Sequence, residues 1–277
     1  MNFLDKLDDG FYFGSGGLGD LLLLLSTFYD DIEKTNLIFW ANDKNFIEET
    51  LTLFPKIDKK VIFDKWPHNF REQFQEITQH KGFKGKGHIP DNLDYRNEWL
   101  NNSDKYLNSI KIPFKHLQSF KYDFIKDCRF IGLSPFGSKV DSWKKKHLNQ
   151  QEFYKVLDSL LIETDTKIVL LGSSKDKEEN PLDNIHTLTR RVLDVRGQRL
   201  QDVFCWLNFI DELISTDTWQ KTFTGLINIP TIVIKNRYSF KDDLIQRFGV
   251  DEDPGDKIFL NKKWNFKLIN YGTFTNK

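Results

Sequence analysis

Short apolar runs alternate with longer amphipathic segments along most of the chain. Apolar runs bounded by Gly, Pro, Asn or Asp are typical of strands buried in a parallel sheet, and an apolar period of 3.6 residues is typical of helices. In the first half the pattern predicts strands at 10–13, 36–40 and 61–63 and helices at 20–29 and 43–53. Residues 69–108 are polar and aromatic without a clear period, and 82–99 are interpreted as a long functional loop.

The same alternation continues in the second half. It predicts strands at 129–134, 167–171, 212–215 and 231–234 and helices at 150–163, 200–208 and 218–228. Residues 113–127 are interpreted as a linker, and the tail after 256 is expected to be strand-like and to return to the first domain. Alternating strands and helices favour an α/β fold with two facing Rossmann-like domains, 1–120 and 121–277. Because parallel sheets bind ligands at the carboxyl ends of their strands, we expect a binding cleft between the domains.

Composition narrows the function classes. A chain of 277 residues accommodates two modest domains, and its 40 basic and 40 acidic residues give a formal net charge of zero. That balance argues against nucleic-acid binding through global positive charge. Cys128 and Cys205 are isolated, so we expect reduced thiols and no metal site. The apolar run 21–25 is far too short to cross a bilayer and no signal-peptide pattern precedes it, which favours a cytoplasmic protein.

A glycine-rich segment, 14–19, separates the first predicted strand from the first helix. Glycines allow a ligand to approach the backbone closely. Their spacing differs from the dinucleotide-binding G-x-G-x-x-G, and no Gly-Lys-Ser/Thr follows as in a P-loop. An NAD-dependent oxidoreductase is disfavoured for the same reason. Asp20 follows the glycines, and two roles fit it: an N-cap of the helix, or a general base that accepts a proton from an attacking hydroxyl.

The residues Gly19, Asp20, Leu21 and Leu22, followed by a Leu-rich helix, resemble the Gly-Asp-(Val/Leu)-Leu start of glycosyltransferase family 9. This is the ADP-heptose:lipopolysaccharide heptosyltransferase family, whose members have the GT-B architecture of two facing Rossmann-like domains. The resemblance implies that Asp20 is the general base. We therefore expect the acceptor to lie beside Gly17 and Gly19.

A second similarity covers residues 214–234. Ser215-Thr216-Asp217-Thr218, a helix and Pro230 match the family's donor-binding segment, where a helix N-terminus points its N–H groups at the donor phosphates. Trp219 stands where the family has Gly, and Thr222 stands where it has His. The resemblance therefore implies a nucleotide-diphosphate donor but not ADP-heptose itself. Trp219 has two roles open to it, stacking on the donor or packing in the core.

Shorter similarities lie at 144–149, 170–176 and 194–200, and the small-residue segment 134–138 ends a predicted strand. Small residues after a strand can hold a phosphate, although a plain turn has the same composition. Lys146 stands where the family has a Lys that contacts the diphosphate, although Lys144 or Lys145 could take that role and a run of lysines is also typical of a solvated helix start. Lys221 adds a cation at a helix start. The predicted donor-binding residues are Ser134, Gly137, Ser138, Lys146, Gly172, Ser173, Asp217, Thr218, Trp219 and Lys221.

The acceptor is expected to contact the first domain through the segment 81–96, with His88, Asp91 and Arg96 as candidates. One acceptor class is a saccharide like the lipopolysaccharide core. The other is a hydroxymethylated pyrimidine in phage DNA, because the Lys-, Asn- and Phe-rich composition is similar to that of T-even-type phage proteins, whose GT-B enzymes glycosylate hydroxymethylcytosine. In that case the protein would act in the host cytoplasm.

The sequence thus predicts an inverting, metal-independent glycosyltransferase that transfers a hexosyl, heptosyl or pentosyl group. It needs no cofactor beyond the nucleotide-diphosphate sugar that serves as its donor substrate. The alternative is a non-catalytic nucleotide- or glycan-binding module of the same fold. The sequence leaves the oligomeric state open.

Overall fold

The computed structural model describes residues 10–22, 24–25, 36–41, 43–52, 60–63, 70–86, 128–137, 147–227, 229–235 and 266–270. The chain divides into two compact units, Met1–Pro113 and Phe114–Lys277, where the sequence predicted a boundary at 120. Both units consist of alternating strands and helices.

In its described part, the first unit contains a four-stranded parallel sheet. Its strands are β1 (Phe11–Gly16), β2 (Asn36–Ala41), β3 (Lys60–Phe63) and β4 (Phe83–Lys86), in the order β3-β2-β1-β4. The helices are α1 (18–22 and 24–25), α2 (Lys44–Thr52) and α3 (Phe70–Gln79). Every residue of β1 and β2 is buried, as expected of central strands that are apolar on both faces.

The structure corrects two predictions in this unit. β1 runs to Gly16 instead of ending at 13, because Gly14 to Gly16 pair with Phe39 to Ala41 of β2. A Cβ at Gly14 would lie 2.7 Å from Leu24 Cδ2, so this glycine lets α1 pack closely on the strand. The stretch interpreted as irregular contains α3 and β4, and β4 occupies the beginning of the expected loop. The pairing of β4 with β1 places it in the sheet.

In its described part, the second unit contains a six-stranded parallel sheet. The strands are β5 (Arg129–Ser134), β6 (Thr166–Leu170), β7 (Val192–Asp194), β8 (Glu212–Ser215), β9 (Thr231–Lys235) and β10 (Phe266–Asn270). The helices are α4 (Gln150–Leu161), α5 (Ser174–Glu179), α6 (Asn184–Leu188), α7 (Leu200–Phe209) and α8 (Trp219–Leu226). The strand order is β10-β9-β8-β5-β6-β7. Read from the β7 edge with β5 counted as strand 1, this is the Rossmann order 3-2-1-4-5-6.

The tail strand joins the second sheet, which corrects the expectation that the tail returns to the first domain. β10 pairs in parallel with β9, Phe266 opposite Thr231 and Asn270 opposite Lys235. The sequence also missed α5, α6 and β7, which have six, five and three residues. Elements this short show too little of either period to be recognised. No helix among the described residues is long and apolar enough to span a membrane.

Candidate functional site

The second sheet has its topological switch point between β5 and β8, the place where open parallel sheets bind ligands. β5 ends at Ser134 and β8 ends at Ser215, and these two residues are paired in register. The N–H of Thr216 donates to the carbonyl of Ser134 at 3.0 Å. The fold therefore brings Ser134 against the segment that contains Asp217 and Thr218. All three are predicted donor-binding residues, and Ser134 is far from the other two in the sequence.

Three hydroxyl groups form a chain at this point. Ser215 Oγ donates to the carbonyl of Thr216 at 2.7 Å and lies 2.8 Å from Thr218 Oγ1, which lies 3.4 Å from Ser134 Oγ. A hydroxyl carries one proton, so Thr218 donates to Ser215 and Ser134 donates to Thr218. The Thr218 side chain consequently makes no capping hydrogen bond to α8, although Thr218 is the N-cap residue. The first-turn N–H groups of α8 are left uncapped by that side chain, and such groups attract anions.

A partly buried ion pair joins the first turn of α8 to the residue before its N-cap. Lys221 Nζ donates to Asp217 Oδ1 at 2.6 Å, and the two side chains are 8% and 25% exposed. The Lys221 charge is therefore largely balanced by a carboxylate of its own segment, which reduces its value as a cation for a diphosphate. Trp219 is half-buried, and its ring meets that of Phe204 edge-on with centroids 5.2 Å apart. One edge of Trp219 thus packs against α7, in keeping with the core-packing role.

Gly172 and Ser173, predicted to bind the donor, have local structural roles here. Ser173 is the N-cap of α5, and its hydroxyl and backbone N–H both bond with Asp176 in a capping box. The carbonyl of Gly172 accepts from the N–H of Gly197 at 3.0 Å. The Ser-x-x-Asp pattern that resembled a donor-binding turn is therefore satisfied by the helix start itself.

The same region is anchored by Arg196, whose side chain is fully buried. Its Nε and Nη2 donate to the two carboxylate oxygens of Asp194 at 2.8 and 2.9 Å, and its Nη1 donates to the carbonyl of Asn180 at 2.7 Å. Burial by itself raises the pKa of the Asp194 carboxyl, but the hydrogen bonds and charge of Arg196, with Lys177 nearby, outweigh it. The net result is a pKa below the ordinary value.

This lowered pKa predicts a loss of stability in acid. A carboxyl whose pKa is lower in the folded state stabilises the fold above its unfolded pKa, about 3.9, and this contribution disappears as the pH falls through the folded pKa. We expect the free energy of unfolding in urea to fall below about pH 4, with a shallower slope against pH in Asp194→Asn than in the wild type. Equal slopes in the two proteins would show that Asp194 contributes nothing to the acid sensitivity.

In the first unit, Asp20 lies at the carboxyl end of β1, the strand between β2 and β4. The carbonyl of Gly17 accepts from the N–H of Leu21 at 3.1 Å, so the helix begins at 18, two residues before the predicted start. Asp20 Oδ2 accepts from the N–H of Gly17 at 2.9 Å. Asp20 is therefore the third helical residue, as in a capping box, and not the N-cap itself. This hydrogen bond fixes the half-buried carboxylate at the end of the strand.

Gly16 is the glycine on which the position of Asp20 depends. Its backbone φ is +119°, a value that residues with a side chain rarely adopt, and a Cβ at this position would lie 2.2 Å from Asp20 Oδ2. We expect Gly16→Ala to cost about 1–3 kcal/mol in the free energy of unfolding and to displace the carboxylate. Gly17→Ala is the matched control, because a Cβ at Gly17 would meet only Asp20 Oδ2, at 4.0 Å. Thermal unfolding that ranks the two variants equally would contradict this prediction.

Other predicted residues have simpler outcomes. Gly137 is half-buried three residues after the end of β5, and Gly19 is half-buried in the first turn of α1. Five candidates lie outside the described residues: His88, Asp91, Arg96, Ser138 and Lys146. Among the residues that the structure does describe, no group of three or more His, Cys, Asp or Glu side chains is arranged to hold a metal ion.

Sequence reasoning missed two polar residues at the switch point. Thr216 and Gln220 are 4% and 6% exposed, and Thr216 Oγ1 and Gln220 Oε1 have no hydrogen-bond partner in the described part of the chain. The sequence offered one signal, two uncharged polar residues on either side of Trp219, but their burial became visible only in the fold.

No protein-family model and no curated protein matches this sequence. Solved structures do match. E. coli ADP-heptose lps heptosyltransferase II is 10% identical with a TM-score of 0.54, over 94% of this chain and 90% of that one. E. coli heptosyltransferase WaaC with ADP is 12% identical with a TM-score of 0.53, over 94% and 93%. The UDP-GlcNAc 2-epimerase of Neisseria meningitidis, bound to UDP-GlcNAc, is 10% identical with a TM-score of 0.54, over 96% and 90%. The chain therefore has the α/β fold of the GT-B glycosyltransferases, which the resemblance to glycosyltransferase family 9 predicted.

Proposed function

We propose that the chain is a glycosyltransferase that moves a sugar from a nucleoside-diphosphate sugar to an acceptor hydroxyl. It acts with inversion and without a metal ion or cofactor. The observation that carries the proposal is the start of α8, which lies uncapped by its N-cap side chain at the switch point of a Rossmann sheet. This is where a parallel sheet presents backbone N–H groups to a phosphate.

The donor diphosphate is assigned to the ends of β5 and β8. Ser134 can redirect its proton from the long 3.4 Å contact with Thr218 to a phosphate oxygen. The N–H groups of the first turn of α8 carry partial positive charge, which stabilises the negative charge that develops on the departing diphosphate. ADP and UDP-GlcNAc in the heptosyltransferase and epimerase structures support this class of ligand.

The acceptor hydroxyl is assigned to Asp20. In an inverting transfer, the carboxylate takes the hydroxyl proton while the oxygen bonds to the anomeric carbon, and the bond from that carbon to the diphosphate breaks. The Gly17 N–H holds Asp20 Oδ2 in place, so the carboxylate is positioned before the acceptor binds. The acceptor is either a saccharide hydroxyl or the hydroxymethyl group of a modified pyrimidine in DNA.

Two alternatives follow from particular observations. The epimerase matches with the same TM-score as the heptosyltransferase, so the fold also accommodates a reaction without an acceptor. A non-catalytic binding module would keep the phosphate site at α8 and would lack turnover. The three functions differ in whether nucleoside diphosphate is released, and in whether its release requires an acceptor.

The test begins with a thermal-shift screen of ADP-, UDP-, GDP-, CDP- and dTDP-sugars. Each stabilising donor is then incubated with lipopolysaccharide core oligosaccharide, with hydroxymethylcytosine DNA, or alone, and nucleoside diphosphate release is measured. A transferase releases it only with one of the two acceptors, and the productive acceptor identifies the class. Formation of an epimerised sugar without an acceptor would show that the protein is an epimerase. Thermal stabilisation by a nucleotide sugar without any product would show that it is a non-catalytic binding module.

A further inference from the structure

Two buried oxygens beside the proposed diphosphate site lack hydrogen-bond partners among the described residues: Thr216 Oγ1 and Gln220 Oε1. Thr216 is 4% exposed and Gln220 is 6% exposed, so bulk water does not reach these oxygens freely. A buried polar atom without a partner destabilises a fold, and native proteins contain few of them. Two of them within the five residues 216–220 indicate a function that compensates for the cost.

Both residues belong to the segment that forms the end of the switch point. Thr216 directly follows β8, and its N–H is bonded to the carbonyl of Ser134. Gln220 is the second residue of α8. The neighbouring hydroxyls of Ser134, Ser215 and Thr218 hydrogen-bond with one another. The oxygens of Thr216 and Gln220 take no part in this hydrogen-bonded row.

We propose that Thr216 Oγ1 and Gln220 Oε1 form hydrogen bonds with hydroxyl groups of the nucleotide sugar, with Gln220 Oε1 as the acceptor. The inference rests on the proposed function. An amide oxygen can only accept a hydrogen bond, and an ionised diphosphate offers no donor, so the diphosphate itself cannot satisfy Gln220 Oε1. The hydroxyls next to a diphosphate are those of the ribose on one side and of the transferred sugar on the other.

Thr216→Val and Gln220→Leu remove the two oxygens and largely keep the side-chain shape. Each is expected to leave the Tm of the ligand-free protein unchanged or raised, because the buried orphan is gone. Each is expected to weaken binding of the nucleotide sugar and to raise its Kd about tenfold, which is the contribution of one hydrogen bond in a closed site. The readout is isothermal titration calorimetry on the full chain, with the best nucleotide sugar from the thermal-shift screen.

Thr224→Val is the matched control in the same helix. Thr224 is fully buried, and its hydroxyl bonds with the carbonyl of Gln220 at 3.1 Å and with Thr231 Oγ1 at 2.8 Å. Removing this partnered hydroxyl is expected to lower the Tm and to leave the Kd for the nucleotide sugar unchanged. Thr216→Val and Gln220→Leu are thus expected to lower affinity without lowering Tm, whereas Thr224→Val is expected to lower Tm without lowering affinity.

Titration with the matching nucleoside diphosphate identifies the moiety. A loss of affinity seen only with the nucleotide sugar assigns the oxygens to the transferred sugar, and an equal loss with the nucleoside diphosphate assigns them to the ribose. Variants that bind like the wild type, or that lose Tm as Thr224→Val does, would overturn the proposal while the proposed function stands. A wild-type chain that binds no nucleotide sugar would remove the proposed function and this inference together.

Discussion

Asp20→Asn is expected to lower turnover by a factor of about 10² to 10⁴ while donor affinity and Tm stay close to the wild-type values. In the wild type, the Gly17 N–H donates to Asp20 Oδ2 at 2.9 Å. The side-chain oxygen of an asparagine can accept the same hydrogen bond, so the start of α1 is preserved. It cannot take a proton from the acceptor hydroxyl. The measurement is the steady-state release of nucleoside diphosphate with the productive acceptor, together with calorimetric titration of the donor.

Two further variants separate catalysis from capping. Asp20→Ala removes both the base and the hydrogen bond to Gly17, so this variant should have a lower activity and also a lower Tm than the wild type. Asp43→Asn makes the same chemical change at another helix start in this unit, where Asp43 Oδ1 accepts from the N–H of Phe46 at 3.1 Å. It should leave turnover unchanged. Wild-type turnover in Asp20→Asn would make this carboxylate a structural cap only.

Four strands of the second unit, β5, β6, β8 and β9, could be predicted closely from the sequence because they are short buried apolar runs. β5 and β8 begin and end at the predicted residues, because each is an apolar run between polar or turn-forming residues. β4, with the sequence FKGK, has no such pattern. Its strand conformation depends on pairing with β1, which no local pattern records.

The candidate site divides along the same line. Asp20 and Thr218 are predicted to be functional because short motifs mark them, and each follows a central strand, β1 or β8, within four residues. Gly172 and Ser173 carry a motif with two interpretations. A phosphate-binding turn and a capping box both need a small polar residue before a helix, and here the capping box is formed. The orphan oxygens of Thr216 and Gln220 could not be predicted, because burial of a polar residue depends on tertiary packing.

Arg196→Met is expected to lower the free energy of unfolding by about 3–5 kcal/mol, a large share of the stability of a typical domain. The Arg196 side chain is fully buried and satisfies both oxygens of Asp194 and the carbonyl of Asn180. Its removal leaves a half-buried carboxylate and a carbonyl without their partner, which costs more than the ion pair itself contributes. Urea denaturation at neutral pH measures the difference.

Arg199→Met is the matched control, because Arg199 is 77% exposed and pairs with Asp202 in water, where an ion pair contributes at most about 1 kcal/mol. The double variant Asp194→Asn with Arg196→Met should be less destabilised than Arg196→Met alone, because it removes the unpaired charge. Donor affinity at a temperature where Arg196→Met remains folded decides what this cluster does. Affinity unchanged from the wild type makes the cluster a support for the turn at Gly172. Weaker binding with little loss of stability would support the donor-binding roles of Gly172 and Ser173 that the family resemblance implied.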